Sequence, residues 1–207
     1  MADINAFLGR VMARRFQRTN QYRCKLDLAQ FTQFGNFAGL PKAVELLREG
    51  LICRTTTTPT RQLETTSVNL AIGYEEKYVI GTTYNNVDCT FLCPLIDGTN
   101  QVLTLFHAWQ NLIQNRGKVG QEANMVLTFP GTYRLKQGMR LELFTGHEPN
   151  RDLGPTRPEL STAFEYFEVY PTSVNGTTVD WLTLDEMMEV AVTFAYTHWQ
   201  QVEDGNL

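Results

Sequence analysis

From Glu189 to Trp199 the chain alternates strictly. Val190, Val192, Phe194, Tyr196 and His198 fall on one side, and Glu189, Ala191, Thr193, Ala195 and Thr197 on the other. A period of two over this length predicts a sheet strand with one packed face. The aromatic run from Phe164 predicts another strand, ended by the Tyr170-Pro171 pair and a polar turn. A short acidic link then leads to the alternating strand. Gln21–Leu28 alternates in the same way, with Tyr22, Cys24, Leu26 and Leu28 on one face. Further strands are predicted at Leu51–Arg54, Val87–Pro94, Met125–Phe129 and Tyr133–Phe144.

Helical spacing occurs in three places. Gln101–Arg116 places Val102, Leu105, Phe106, Trp109, Leu112 and Ile113 on one stripe. A polar cluster at Asp97–Asn100 precedes it to cap its start, and Gly117 follows to stop it. Pro41–Glu49 reads as a short helix between Pro41 and Gly50. Residues 1–18 carry Arg10, Arg14, Arg15 and Arg18 with Ile4, Phe7, Leu8, Val11 and Phe16 at helical spacing. This basic amphipathic start has the character of an organellar transit peptide, but its plainer reading is an N-terminal helix that packs on a neighbour or stays mobile.

Two stretches fit neither period with a core behind it. Residues 55–86 open with TTTTPT, continue in polar β-prone residues, and are punctuated by Gly73, Gly81 and Asn85-Asn86. They predict a long hairpin arm with little core of its own, which would lie against another subunit because an isolated hairpin is marginal in water. Residues 147–161, HEPNRDLGPTRPELS, hold three prolines and predict a loop. The expected organisation is therefore a basic N-terminal segment (1–18) and one domain (19–207) carrying the arm and the loop. The fold class is mainly β, an antiparallel barrel or sandwich with one flanking α-helix.

Composition narrows the function. With 207 residues, 43% of them apolar, the chain can bury a full core. A net charge of −4 argues against general nucleic-acid binding, which calls for a basic surplus. No apolar run approaches the roughly 18–20 residues that span a bilayer as a helix, so no membrane insertion is expected.

Candidate chemistry is sparse. The four cysteines, Cys24, Cys53, Cys89 and Cys93, match no zinc spacing. Cys89 and Cys93 lie on one face of a strand, about 13 Å apart and too far to share a metal. With no secretory signal, unbridged cysteines acting as small buried hydrophobes are expected. His107, His147 and His198 are scattered over helix, loop and strand. His147, Glu148 and Asp152 supply no nucleophile, and Asp180, Asp185, Glu186 and Glu189 lack calcium-loop spacing, reading instead as a solvated or lumen-facing rim. The expectation is no catalytic site, no cofactor and no metal: a scaffold, not an enzyme.

In chain order RTNQYRCKLDL, the LICRTTTTP turn into a hairpin, VDCTFLCP followed by the Trp109 helix, FEYFEVYPTSVNG and EVAVTFAYTHW resemble the tail tube proteins of contractile-tailed bacteriophages. The resemblance runs roughly from Arg18 to Val202, and the additional material is the basic N-terminal segment and the 147–161 loop. It implies a barrel-like subunit related in shape to type VI secretion tubes, with six copies in a ring and rings stacked into a tube. Implied partners are the subunit itself, a tail sheath protein, baseplate and terminator proteins, and a ruler protein in the lumen. Viral DNA would pass through without sequence-specific binding. The implied location is the phage tail, after assembly in the host cytoplasm. A baseplate or tube-initiating protein of the same fold is the near alternative, and a small-ligand-binding barrel the distant one.

Overall fold

The structure, a computed structural model, describes residues 22–28, 52–69, 73–95, 100–114, 127–144, 160–176 and 187–202. The N-terminal segment 1–18, the predicted helix 41–49 and residues 147–159 of the predicted loop lie outside them. The strands are β1 (Tyr22–Leu26), β2 (Cys53–Thr56), β3 (Arg61–Asn69), β4 (Glu75–Tyr84), β5 (Val87–Leu92), β6 (Leu135–Phe144), β7 (Leu160–Asn175), β8 (Glu189–Ala195) and β9 (His198–Val202). The helices are α1 (Gln101–Gln114) and a single turn, α2 (Pro130–Tyr133).

All pairings are antiparallel. The main sheet runs β1-β6-β7-β8-β5-β2, with β9 also on β7, while β3 and β4 form a separate two-stranded ribbon. Its first and last strands approach each other, because the Tyr22 hydroxyl of β1 donates to the Cys53 carbonyl of β2 at 2.9 Å. The sheet is thus rolled toward a barrel. Among the described residues its two edges meet through side chains, not through a backbone ladder.

Alternation decides what is buried. Val87, Cys89 and Phe91 of β5 and Val190, Val192 and Phe194 of β8 point into the core. Helix α1 covers them with the stripe its spacing predicts, Val102, Leu105, Phe106, Trp109 and Leu112. Phe106 stacks on Phe91 with ring centroids 5.4 Å apart, and Phe194 meets both Phe106 and Trp109 at 6.1 Å. Burying each such ring contributes roughly 1.5–3 kcal/mol. Asn100 caps the helix, its Oδ1 accepting from the Leu103 N–H at 3.1 Å. The Trp109 indole N–H donates to the Tyr133 carbonyl at 2.8 Å, which fixes the helix against α2. On the polar face a cross-strand row links Lys25 to Glu142 (3.0 Å), Arg140 to Glu165 (3.3 Å) and Gln200 to Glu165 (3.0 Å).

Five expectations are corrected. Residues 127–129 of the predicted strand Met125–Phe129 form no strand, and 125–126 lie outside the described residues. The Thr128 N–H and hydroxyl instead bond the Ile113 and Leu112 carbonyls, satisfying the C-terminal end of α1. Tyr170-Pro171 does not end its strand, because β7 runs on through it. Pro171 falls at a register shift, just past the last residue paired with β6, where its missing N–H is not required. The closing strand is split at Tyr196-Thr197: Tyr196 is still half-buried against the core, but beyond the break His198 is exposed. Leu160 and Ser161, placed in the loop, begin β7, and Thr55 and Thr56, placed in the arm, belong to β2.

Candidate functional site

The β3–β4 ribbon is the most exposed part of the described chain. Every residue of β3 is exposed, and Leu63, Val68, Tyr78, Val79 and Ile80 present apolar side chains to solvent on both faces. Ile80 is 66% exposed and Val79 60%. The register slips between Glu64 and Thr65, leaving Ile80 as the extra residue of a bulge opposite them. The polar sequence explains this shape: strand-prone Thr, Val and Tyr form the ladder, but neither face collects enough apolar area to bury itself.

Among the described residues, the ribbon is tied to the domain at its base. The Arg61 guanidinium lies 5.0 Å from the Trp199 ring centroid and 5.9 Å from that of Tyr84, and Tyr84 meets Tyr196 at 6.0 Å. The ribbon is inserted between β2 and β5, which pair with each other, so it projects from a hairpin already closed at its root. An exposed ribbon that carries several apolar side chains on a fixed base is a candidate surface for a macromolecular partner.

A second grouping was invisible in the sequence. Cys24 of β1, Cys53 of β2 and Cys89 of β5 bring their Sγ atoms within 4.8 Å of one another. The four cysteines are free thiols, and Cys93 stands outside this cluster. Hydrogen bonds from the Cys24 and Cys89 thiols hold Cys53 below the ordinary thiol range, while the bond to Cys53, that to Cys89 and burial push Cys24 up. The Thr56 hydroxyl lies 3.2 Å from Cys89 Sγ, and Cys53 Sγ donates to the Thr55 carbonyl at 3.2 Å.

The other singled-out residues do not converge. His107 is exposed on α1, and His198 stacks on Phe167 with centroids 4.5 Å apart. Glu189 pairs with Arg54. His147, Glu148, Asp152, Asp180, Asp185 and Glu186 lie outside the described residues. A cleft of about 270 Å³ beside Lys25, Gln137, Gly138 and Arg140 is open, with charged walls.

A family described as phage tail tube protein matches residues 17–202, nearly the whole chain. The chain belongs to the phage tail tube protein family. No curated protein sequence matches it. Solved structures agree in fold. A chain of the sheath–tube complex of an extracellular contractile injection system (PVC), in its extended state, superposes with a TM-score of 0.55 at 11% identity, covering 94% of this chain and 97% of that one. The tube-terminating cap of the anti-feeding prophage gives 0.54 at 11% identity over 92% and 93%. The sheath/tube terminator of the PVC system gives 0.54 at 10% identity over 91% and 98%. The tail tube fold thus persists where almost all side chains differ, and the matched range of the family runs across the exposed ribbon.

Proposed function

We propose that this tail tube family member is a structural subunit that assembles into hexameric rings, stacked to form the conduit for DNA ejection inside a contractile sheath. The observation that carries the reading is the β3–β4 ribbon, which exposes apolar side chains on both faces and, among the described residues, is anchored at its base. In a ring or stack it packs on the adjacent subunit, where its exposed Leu63, Tyr78, Val79 and Ile80 become buried. Such a contact is heterologous: each copy offers the ribbon and receives another, so the assembly propagates into a tube. A net charge of −4 per chain makes a ring of six strongly negative, and a negative wall lets DNA phosphates slide without sticking.

Sheath, baseplate, terminator and ruler proteins are the partners this reading requires. The similarity to both a sheath–tube complex chain and two tube-ending proteins supports a tube component. Copy number in purified particles separates a main tube protein from a baseplate-proximal one.

The test is electron microscopy of the concentrated protein, with and without residues 57–86. Because β2 and β5 are antiparallel neighbours, a short turn can rejoin Thr56 to Val87. The intact chain is expected to form six-fold rings or hollow tubes, and the shortened chain to stay folded by circular dichroism yet monomeric. Normal tubes from the shortened chain would remove the arm from the assembly mechanism. An intact chain that stays monomeric even with purified baseplates would overturn the tube reading itself.

A further inference from the structure

We infer that Cys24, Cys53 and Cys89 form a binding site for one thiophilic d10 cation of the zinc class, placed across the seam where the first and last strands of the sheet meet.

Three thiols from three strands converge on one point. Their Sγ atoms all lie within 4.8 Å of one another, and tetrahedral thiolate ligation with Zn–S bonds of about 2.3 Å sets Sγ atoms roughly 3.8 Å apart. Small χ1 rotations bridge that difference, so no strand has to move. The donor set selects the cation: three sulfurs suit zinc, cadmium or another soft ion, whereas magnesium and calcium require oxygen. Cys24 and Cys89 are buried, while Cys53 and Thr56 are half-buried and give the ion a way in from solvent. The Thr56 hydroxyl, 3.2 Å from Cys89 Sγ, sits beside the fourth position, which it or a water can fill.

A disulfide accounts for the cluster less well. It would join two of the sulfurs, leave the third without a role and require an external oxidant. Coordination uses all three equally, each thiol releasing its proton to solvent as its sulfur takes up the metal.

The location gives the site a purpose. Cys24 lies on β1 and Cys53 on β2, the two ends of the main sheet, and the Tyr22–Cys53 hydrogen bond already brings them together. A bound cation would fasten that seam where the backbone forms no ladder among the described residues, and would do so in each subunit before assembly. Sequence spacing concealed this, because each ligand comes from a separate strand and none forms a C-x-x-C pair.

The experiment uses the full-length chain, reduced and freed of metal by a chelator, titrated with Cd²⁺ and followed by sulfur-to-metal charge-transfer absorbance. The expected result is saturation at one equivalent per chain and a higher thermal midpoint with Zn²⁺. Cys53→Ser, at the half-buried position, is expected to lower the affinity by more than about a hundredfold, beyond the ~10–100-fold loss from changing an outer partner. Cys93→Ser is expected to bind as the parent does. On the unmutated chain, Cd²⁺ is expected to protect Cys53 but not Cys93 from alkylation, which keeps the test independent of whether the variants fold. Absence of saturable one-to-one binding, or equal alkylation of Cys53 with and without Cd²⁺, would overturn the inference. Neither result touches the tube reading, which rests on a different surface.

Discussion

The Thr197 hydroxyl donates to the Glu168 carboxylate at 2.6 Å, across the point where two neighbouring strands bend together. Glu168 adopts φ = 56°, a left-handed conformation uncommon for a residue with a side chain. Opposite it, the closing strand breaks between β8 and β9, and the Thr197 N–H bonds the Phe167 carbonyl at 3.0 Å. Both halves still pair with β7, so the kink redirects one long two-stranded ribbon from one part of the sheet to the other. Arg134 adds an ion pair to Glu168 at 3.0 Å. The Thr197 bond first, and Arg134 second, hold the Glu168 carboxyl below the usual range. A group lowered on folding stabilises the fold above its unfolded pKa, and that contribution disappears as the pH falls through the folded value. Thr197→Val is therefore expected to raise the Glu168 titration midpoint in carboxylate NMR. An unchanged midpoint would assign the shift to Arg134.

If the ribbon packs on a neighbouring subunit, a charge placed on it should harm assembly and spare the fold. Ile80→Lys changes a residue that is 66% exposed and, among the described residues, stands outside the hydrophobic core. Its effect on urea unfolding of the subunit is expected to stay within about 0.5 kcal/mol. The concentration needed for tube formation, measured by light scattering, is expected to rise at least about tenfold, equivalent to ~1.4 kcal/mol per contact. Unaltered assembly would place the interface elsewhere.

Tyr166 is fully buried, yet its hydroxyl has no hydrogen-bond partner among the described residues. Burial, followed by the neighbouring Tyr196, pushes its pKa up. The unfolded chain loses this proton near pH 10, where the folded chain still holds it, so stability declines as the pH rises above that point. Tyr166→Phe removes both the unpaired hydroxyl and the titration. It is expected to leave neutral-pH stability unchanged or raised by about 1 kcal/mol, and to flatten the alkaline decline in chemical denaturation. A loss of stability at neutral pH would show that the hydroxyl is satisfied.

These sites differ in how far the sequence announces them. Local period sufficed for Val87-Cys89-Phe91, for Val190-Val192-Phe194 and for the Val102–Leu112 stripe, since one face of each element is buried by a single partner layer. The exposed ribbon was also legible, because polar β-prone residues with scattered glycines cannot form a core. The thiol cluster was not, since Cys24, Cys53 and Cys89 meet only once the sheet rolls. Nor was the Glu168–Thr197 kink, as Tyr170-Pro171 looks like a terminator unless the neighbouring strand is seen to leave first. Leu127-Thr128-Phe129 resembled a strand because local pattern does not reveal that Thr128 serves the end of α1.

Gly138 makes the same point about β6. The β6–β7 register slips between Gln137 and Met139, so Gly138 has no partner on β7, and its carbonyl instead accepts from the Asp27 N–H at 2.8 Å. A Cβ added there would lie 2.0 Å from the Leu135 Cβ and 2.5 Å from its Cδ1. Leu135 is fully buried in the core and cannot swing away, so the backbone of the bulge would have to move. Gly138→Ala is expected to destabilise the subunit by about 3 kcal/mol or more, at the upper end of overpacking effects. Gly131→Ala, where an added Cβ meets nothing within 4 Å, is expected to stay within about 0.5 kcal/mol. Leu135→Gly also destabilises, by opening a cavity and freeing the backbone, but it removes both the Cβ and the Cδ1 that the new methyl strikes. The double variant should therefore be more stable than the sum of the two single losses, a coupling measurable by urea unfolding. Simple additivity would mean that the bulge yields by shifting β6 rather than by pressing on Leu135.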